Sequence, residues 1–305
     1  MGFDGFTQIL LGSLMQAAIL ALATFGIVLI FKTSFTTNFA QGSIAAFSAY
    51  VMFAVINMLF ERGPGLTTPW YFYLIGMAVA IIAAFLIGLF VDTMIIRKAK
   101  FITSAGKQMI TMGLVLILTA LTDIIFGVYP KTVDRISYQT FETGGNFNVT
   151  MTGQELFGVI IAFTVLILVF MALRFTKWGL GVRATASNEI VSSMMGINTR
   201  FITAMSWAVA GGLGALAAAL YAPSTAYLSS AMMVSFQVNG FLALILGGAA
   251  TFHGPIIAAI IIPIANGFVS YYLPEWANVI IYVLILFAIL IKPNGLFGKK
   301  VQKKV

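Results

Sequence analysis

The chain has 305 residues, 60% of them hydrophobic and only 9% charged, against about a quarter charged in an ordinary globular domain. So few charges cannot cover a water-facing surface, and lipid is the solvent expected for most of the chain. The net charge of +8 comes from 17 basic residues spread between apolar runs, which excludes a nucleic-acid-binding patch.

In chain order, apolar runs long enough to cross a hydrocarbon core of about 30 Å are predicted at 8–31, 38–60, 70–95, 108–128, 155–173 and 201–222, with three more pieces at 236–251, 255–273 and 276–292. The first run has Asp4 before it and no basic residue until Lys32, so it reads as a retained span rather than a cleavable leader. Breaks at Thr251-Phe252-His253-Gly254-Pro255 and Leu273-Pro274-Glu275 divide the last three pieces. The pieces at 236–251 and 276–292 are short for full spans, so eight crossings with a re-entrant pair stands beside nine.

Nine crossings place 14 basic residues on one side: Lys32, Arg97, Lys98, Lys100, Lys107, Arg174, Lys177, Arg183, Arg200, Lys292, Lys299, Lys300, Lys303 and Lys304. Only Arg62, Lys131 and Arg135 fall on the other. By the positive-inside rule the amino terminus is outside and the carboxyl terminus cytoplasmic. The expected architecture is an all-α polytopic transmembrane helical bundle, one transmembrane domain over 1–305, with an extracytoplasmic loop at 129–154 and a cytosolic loop at 174–200. Asn148-Val149-Thr150 in the outer loop fits a glycosylation sequon, a pattern that chance also produces.

Catalytic and cofactor chemistry leave little trace. The absence of cysteine excludes thiolate chemistry and cysteine metal sites, and a single histidine excludes HExxH and multi-histidine sites. No GxxxxGK[ST] loop is present, so this chain does not itself cradle nucleotide phosphates. Asp92 and Asp123 lie near the ends of the third and fourth spans, where interfacial solvation accounts for them, and His253 reads as a turn residue. An ion-coupled carrier usually needs acids near the midplane, so that class is weakened, although sodium held by backbone carbonyls leaves no such mark. No catalytic set, metal or cofactor is expected.

Small and polar residues interrupt the spans. The run from Ala210 to Ala219 reads as a helix–helix seam or as a smooth pore wall. Asn38, Gln41 and Gly42 open the second span, and Gly247-Gly248 runs into the break at His253. Such breaks are either plain turns or places where a broken helix lines a path. Asn239 and Asn266 are read as interhelical hydrogen-bonding groups or as substrate contacts. Asn38, Gln41, Gly42, Asn239, Gly247 and Gly248 form the candidate translocation path.

In the inner loop, Arg183 to Gly196 is predicted to be one short amphipathic helix with Ile190, Val191, Met194 and Met195 on its apolar face. Gly196 suits a left-handed stop, and Asn198 or Thr199 suits the cap of the next span. Such a helix either rests on lipid headgroups or docks into a cytosolic partner.

At this loop the sequence resembles the permeases of branched-chain amino-acid ABC importers, and within them the LivH-type subunit more than the LivM-type. The stretch Gly179–Leu220 carries the likeness through Gly181-Val182-Arg183-Ala184 and Met195-Gly196-Ile197-Asn198. Three further motifs follow the family order. Asn38-Phe39-Ala40-Gln41-Gly42 with Ala49-Tyr50 is similar to N-F-A-H-G…A-Y, with Gln41 for the usual histidine. Leu246-Gly247-Gly248…Gly254 is similar to L-G-G-x-G-x-x-x-G, and Pro293 to Gly298 to P-x-G-L-F-G.

The resemblance implies a permease subunit that provides the path for branched-chain or related amino acids. It also implies a second permease subunit, two cytosolic ABC ATPases, an extracytoplasmic binding protein and a place in the bacterial inner membrane. The inner helix would be the coupling helix, with Arg183, Ala184, Asn188, Glu189, Val191, Ser192, Met194 and Gly196 toward the ATPase. Of the coupling pattern E-A-A-x-x-x-G, only the glycine, Gly196, is literal, with Ile190, Val191 and Ser192 at the first three positions. A permease for urea or short amides, a self-standing carrier or channel, and a membrane enzyme are the alternatives.

Overall fold

Long apolar segments in lipid satisfy their backbone groups as helices, and the computed structural model shows this for the residues it describes, 3–60, 68–99, 103–142 and 150–298. The helices are α1 (Phe3–Ser34), α2 (Gln41–Leu59), α3 (Trp70–Phe90), α4 (Ser104–Phe126), α5 (Gly153–Phe175), α6 (Lys177–Ser187), α7 (Glu189–Met194), α8 (Thr199–Tyr221), α9 (Val234–Gly247), α10 (His253–Tyr272) and α11 (Ala277–Ile291). A π-helical turn, Val91–Ile96, extends α3, and short 3-10 turns follow α8 and precede α11. Among the described residues, eight helices are long and apolar enough to cross a membrane; α9 is shorter.

The basic ends gather at one side. Lys32, Arg97, Lys107, Arg174, Lys177, Arg200 and Lys292 sit at or beside helix ends that meet there. The Arg97 guanidinium donates to the Arg200 carbonyl (2.8 Å), Lys32 to the Ala250 carbonyl (2.5 Å), and Thr36 and Ser104 hydroxyls lie 3.0 Å apart. Trp70, Tyr71, Tyr271, Tyr272 and Trp276 are exposed at the opposite ends, as an interfacial aromatic belt requires. The charged end is called inner and the aromatic end outer. Lys100, Lys299, Lys300, Lys303, Lys304, Arg62 and the sequon at Asn148 lie outside the described residues.

The tail ambiguity resolves geometrically. Phe236, near the start of α9, packs edge-on against Tyr221 at the outer end of α8. The other end of α9 reaches the inner side, where the Leu246 carbonyl accepts from the Leu296 amide (2.7 Å). Its 14 residues cover about 21 Å, and the irregular chain before Val234 supplies the rest of the passage. Among the described residues the chain thus passes between the inner and outer ends nine times, one passage being only partly helical.

Among the described residues, the all-α expectation holds apart from one hairpin. Thr140–Glu142 pairs antiparallel with Thr150–Thr152, which leads straight into α5. Thr152 and Glu155 then form a reciprocal capping box that starts α5 at the membrane edge.

The core surrounds α1 and α8. The former packs against α5, α8, α9 and α10, and the latter against α2 and α3. Every residue from Ala210 to Leu220 is buried. A side chain at Gly211 would meet the Ala84 carbonyl, and one at Gly88 the Trp207 carbonyl. The small-residue run is therefore a seam that lets α3 and α8 backbones touch. It lines no pore.

Candidate translocation and coupling sites

The α2 start lies inside the bundle. Phe39 donates to the Thr111 hydroxyl (3.1 Å), about two turns into α4 from its inner end. Lipid cannot satisfy the first amides of such a helix, so side chains do. Asn38 Oδ1 accepts from the Ala40 amide (3.0 Å), and Gln237 Oε1 accepts from the Gly42 amide (2.5 Å). Gln41 Nε2 donates to the Ala210 carbonyl (2.6 Å), and Asn38 Nδ2 donates to Gln41 Oε1 (3.2 Å). Asn38 and Gln41 are buried and bonded to protein. They build a capping node that also takes in Gln237 and Thr111, two residues that nothing in their own stretches of sequence marks out.

Gly247 and Gly248 belong to a second node, at the inner end. Gly248 adopts φ +92° and Gly295 φ +81°, and the two backbones touch. Hydrogen bonds from Leu296 to the Leu246 carbonyl and from Phe297 to the Gly247 carbonyl (3.3 Å) close the contact. The α9 end is also held against the start of α10, because a side chain at Gly247 would strike Gly254 and Pro255. Two motifs distant in sequence are one staple, possible only where glycine removes the Cβ.

Of the six path candidates, Asn239 lines an open cleft among the described residues. This cleft, about 170 Å³, is bordered by Gln16, Ser235, Asn239, Asn266, Asn278 and Tyr282, with Leu20, Ile262 and Ile281 between them. Gln16 also borders two adjoining cavities of about 290 and 350 Å³. The first of these opens toward Arg135 and Glu155, at the outer mouth. Asn266 donates to Asn278 Oδ1 (2.9 Å), the interhelical bond expected of it. Asn239 Oδ1 is buried with no protein hydrogen-bond partner among the described residues. Pro263 removes the amide that would bond the carbonyl one turn back in α10, which loosens the wall there. The cleft is rich in neutral donors and acceptors and carries no charge of its own.

The inner loop is not one helix. Asn188 is extended (φ −161°, ψ 110°) and accepts from the Val191 amide (3.0 Å), so it ends α6 and caps α7. The helix predicted over Arg183–Gly196 is thus two, because an asparagine side chain competes for backbone bonds and favours a cap over a helix interior. Ile190, Val191, Met194 and Met195 are 67%, 52%, 79% and 78% exposed, while Ser192 is buried. Arg183, Asn188 and Glu189 are exposed and Ala184 half-buried. Gly196 has φ +84° and closes a Schellman turn through Ile197→Ser192 and Gly196→Ser193 bonds, 3.1 Å each. Asn198 then caps α8 by accepting from Phe201 (3.1 Å).

Beside this knuckle, Asp92 is not interfacially solvated. It is 3% exposed and paired with Arg97 at 2.7 Å. The π turn brings residues five apart onto one side, and Arg97 closes it by donating its amide to the Asp92 carbonyl. An inner cavity of about 330 Å³ collects this pair with Lys107, Glu189 and Arg200. The pair ties α3 to the α8 start and faces the first residue of α7.

Residues 9–289 match the family model described as branched-chain amino acid transport system / permease component. The chain belongs to this family. It is accordingly a transporter subunit of the permease type and a multi-pass protein of the bacterial inner membrane. Its relatives include the high-affinity branched-chain amino acid transport system permease protein LivH of Escherichia coli K12, 22% identical over 98% of both chains. A LivH permease of Methanocaldococcus jannaschii is 26% identical over 96% of this chain and 93% of its own. The permease protein BraD of Pseudomonas aeruginosa is 20% identical over 98% of both. No solved structure matches the chain.

Proposed function

We propose that this chain, in an ATP-driven importer, forms one side of the path for branched-chain or related amino acids, entered through the Gln16–Asn239–Asn266 cleft. The observation that carries the reading is a neutral amide-lined cleft in the outer half of an otherwise apolar bundle. Amides facing hydrocarbon are costly, so this face meets water or protein. Each amide offers both donors and acceptors and can pass the ammonium and carboxylate of an amino acid without holding either as an ion pair. Leu20, Ile262 and Ile281 offer apolar surface to the side chain. A path that binds weakly leaves selectivity to an extracytoplasmic binding protein, and a second permease subunit covers the open side.

The exposed apolar residues of α7, with Arg183, Asn188 and Glu189, are the docking surface for an ATPase. Having no phosphate-binding loop, the chain receives the energy of ATP through that contact. The four apolar residues are too exposed to be core and lie at the charged inner end, where a cytosolic partner meets them.

Proteoliposomes assembled from this chain, its permease partner, ATPases and binding protein test the reading. ATP-dependent uptake of leucine, isoleucine or valine, abolished by replacing the ATPase P-loop lysine, is expected. Ion-driven uptake by this chain alone contradicts it. The same neutral lining suits urea and short amides, and competition by these against leucine decides between the cargoes.

A further inference from the structure

α5 and α10 both pack on α1 and leave a groove of about 500 Å³ between them at the inner end. Its wall is Ile167, Phe170, Met171, Leu173 and Phe175 of α5, with Phe252 at the start of α10. Phe170 is fixed edge-on against Phe25 of α1 (5.0 Å between centroids), which makes a firm floor. Ile167, Met171 and Phe175 are exposed, so the groove opens toward the surrounding bilayer.

At its inner rim stand Arg174 and Arg183, and His253 also lines the groove. Among the described residues, neither guanidinium has a carboxylate or hydrogen-bond partner, and Arg174 rests on the Phe175 ring (5.3 Å). Two of the other inner cations differ. Arg97 is paired with Asp92, and Lys32 is bonded to the Ala250 carbonyl. Two unneutralised guanidiniums above an apolar slot, at headgroup depth, match a phosphodiester above an acyl chain. A soluble phosphate would use the rim and leave the apolar wall unexplained.

We propose that this groove holds one anionic phospholipid of the inner leaflet, its phosphate between Arg174 and Arg183 and an acyl chain along Ile167, Phe170 and Met171. Arg183 lies on α6, so the lipid ties that helix to the end of α5 and steadies the segment leading into α7. The proposal shares Arg183 with the ATPase contact proposed above, but its test reads lipid retention by the chain alone, so its failure leaves the transport reading untouched.

The test is native mass spectrometry of the chain released from nanodiscs of equal phosphatidylglycerol and phosphatidylcholine. The wild type should retain phosphatidylglycerol with an enrichment of about thirtyfold, given two basic contacts. Arg174→Gln with Arg183→Gln should abolish the preference, and Met171→Trp should reduce retention of either lipid by filling the slot. Lys177→Gln, also basic and exposed but outside the groove, should leave the preference intact. Equal retention of both lipids by the wild type overturns the proposal, and so does a preference that survives in the double variant. Should the double variant not fold, the wild-type comparison alone decides.

Discussion

Asn239 places an amide oxygen, buried and unpaired, beside the outer cleft. A purely structural asparagine is expected to satisfy that atom, because a buried unpaired acceptor costs about 1–3 kcal/mol. Asn239→Leu should therefore lower ATP-driven uptake about tenfold while leaving the melting temperature in detergent unchanged or raised. A parallel fall in both would make Asn239 a packing residue. Asp92 and Arg97 behave oppositely. Arg97→Gln strands a buried carboxylate and should cost about 3 kcal/mol, whereas Asp92→Asn leaves an arginine that can turn to water and should cost less. The double variant should regain part of the loss, measured by thermal unfolding.

Local chemistry makes some residues legible from the sequence alone. Gly196 signals a left-handed stop and Asn198 a cap because both signals need only a few neighbouring residues, and the turn and cap occur there. Gln16 is silent, since one glutamine inside a strongly apolar run carries no local signature. It acquires meaning only where α10 and α11 bring Asn266 and Asn278 beside it. Asp92 misleads for the same reason: its position near a span end points to solvent, and the π turn that buries it is not encoded by periodicity.

At the scale of elements, the inner knuckle depends on Asn188 and Gly196. Asn188→Ala removes a cap and should cost about 1 kcal/mol, letting α6 and α7 merge and swinging the apolar face away from its partner. Gly196 has open space around the position of a Cβ, so Gly196→Ala carries only the left-handed penalty of roughly 1–2 kcal/mol. Gly196→Pro also removes the amide bonded to Ser193. Both Gly196→Pro and Met194→Glu should uncouple ATP hydrolysis from uptake without reducing the amount of chain in the membrane. Unchanged coupling ratios in both variants would take the ATPase away from α7. The α3–α8 seam is a different kind of element, built by close approach. Gly211→Val should prevent that approach and destabilise by about 1–3 kcal/mol or more, read as lost monodisperse protein in detergent. Helix positions are legible here because apolar length and small-residue runs report them directly. The split at Asn188 is not, since helical spacing of the apolar residues continues across it.

Over the whole molecule, the positive inner end, the aromatic outer end and the family motifs agree on how the chain sits in the bilayer. The motifs that read as path elements in the sequence make joints in the fold, and whether they also line a path is untouched by those contacts. One caps α2 inside the bundle, and another staples α9 to the residues after α11. The candidate path instead gathers on α1, α9, α10 and α11, from residues too far apart in sequence to form a motif. Because the chain contains no cysteine, single cysteines can be placed without background labelling. The decisive measurement is the reaction of Asn266→Cys and Gln16→Cys with a membrane-impermeant thiol reagent added from outside, compared with Ile160→Cys on the exposed apolar face of α5. The cleft positions should label, change in rate when ATP is supplied to the assembled importer, and be protected by substrate-loaded binding protein, while Ile160→Cys stays unlabelled. Cleft cysteines as inert as Ile160→Cys, in every nucleotide state, would contradict a translocation path through this face.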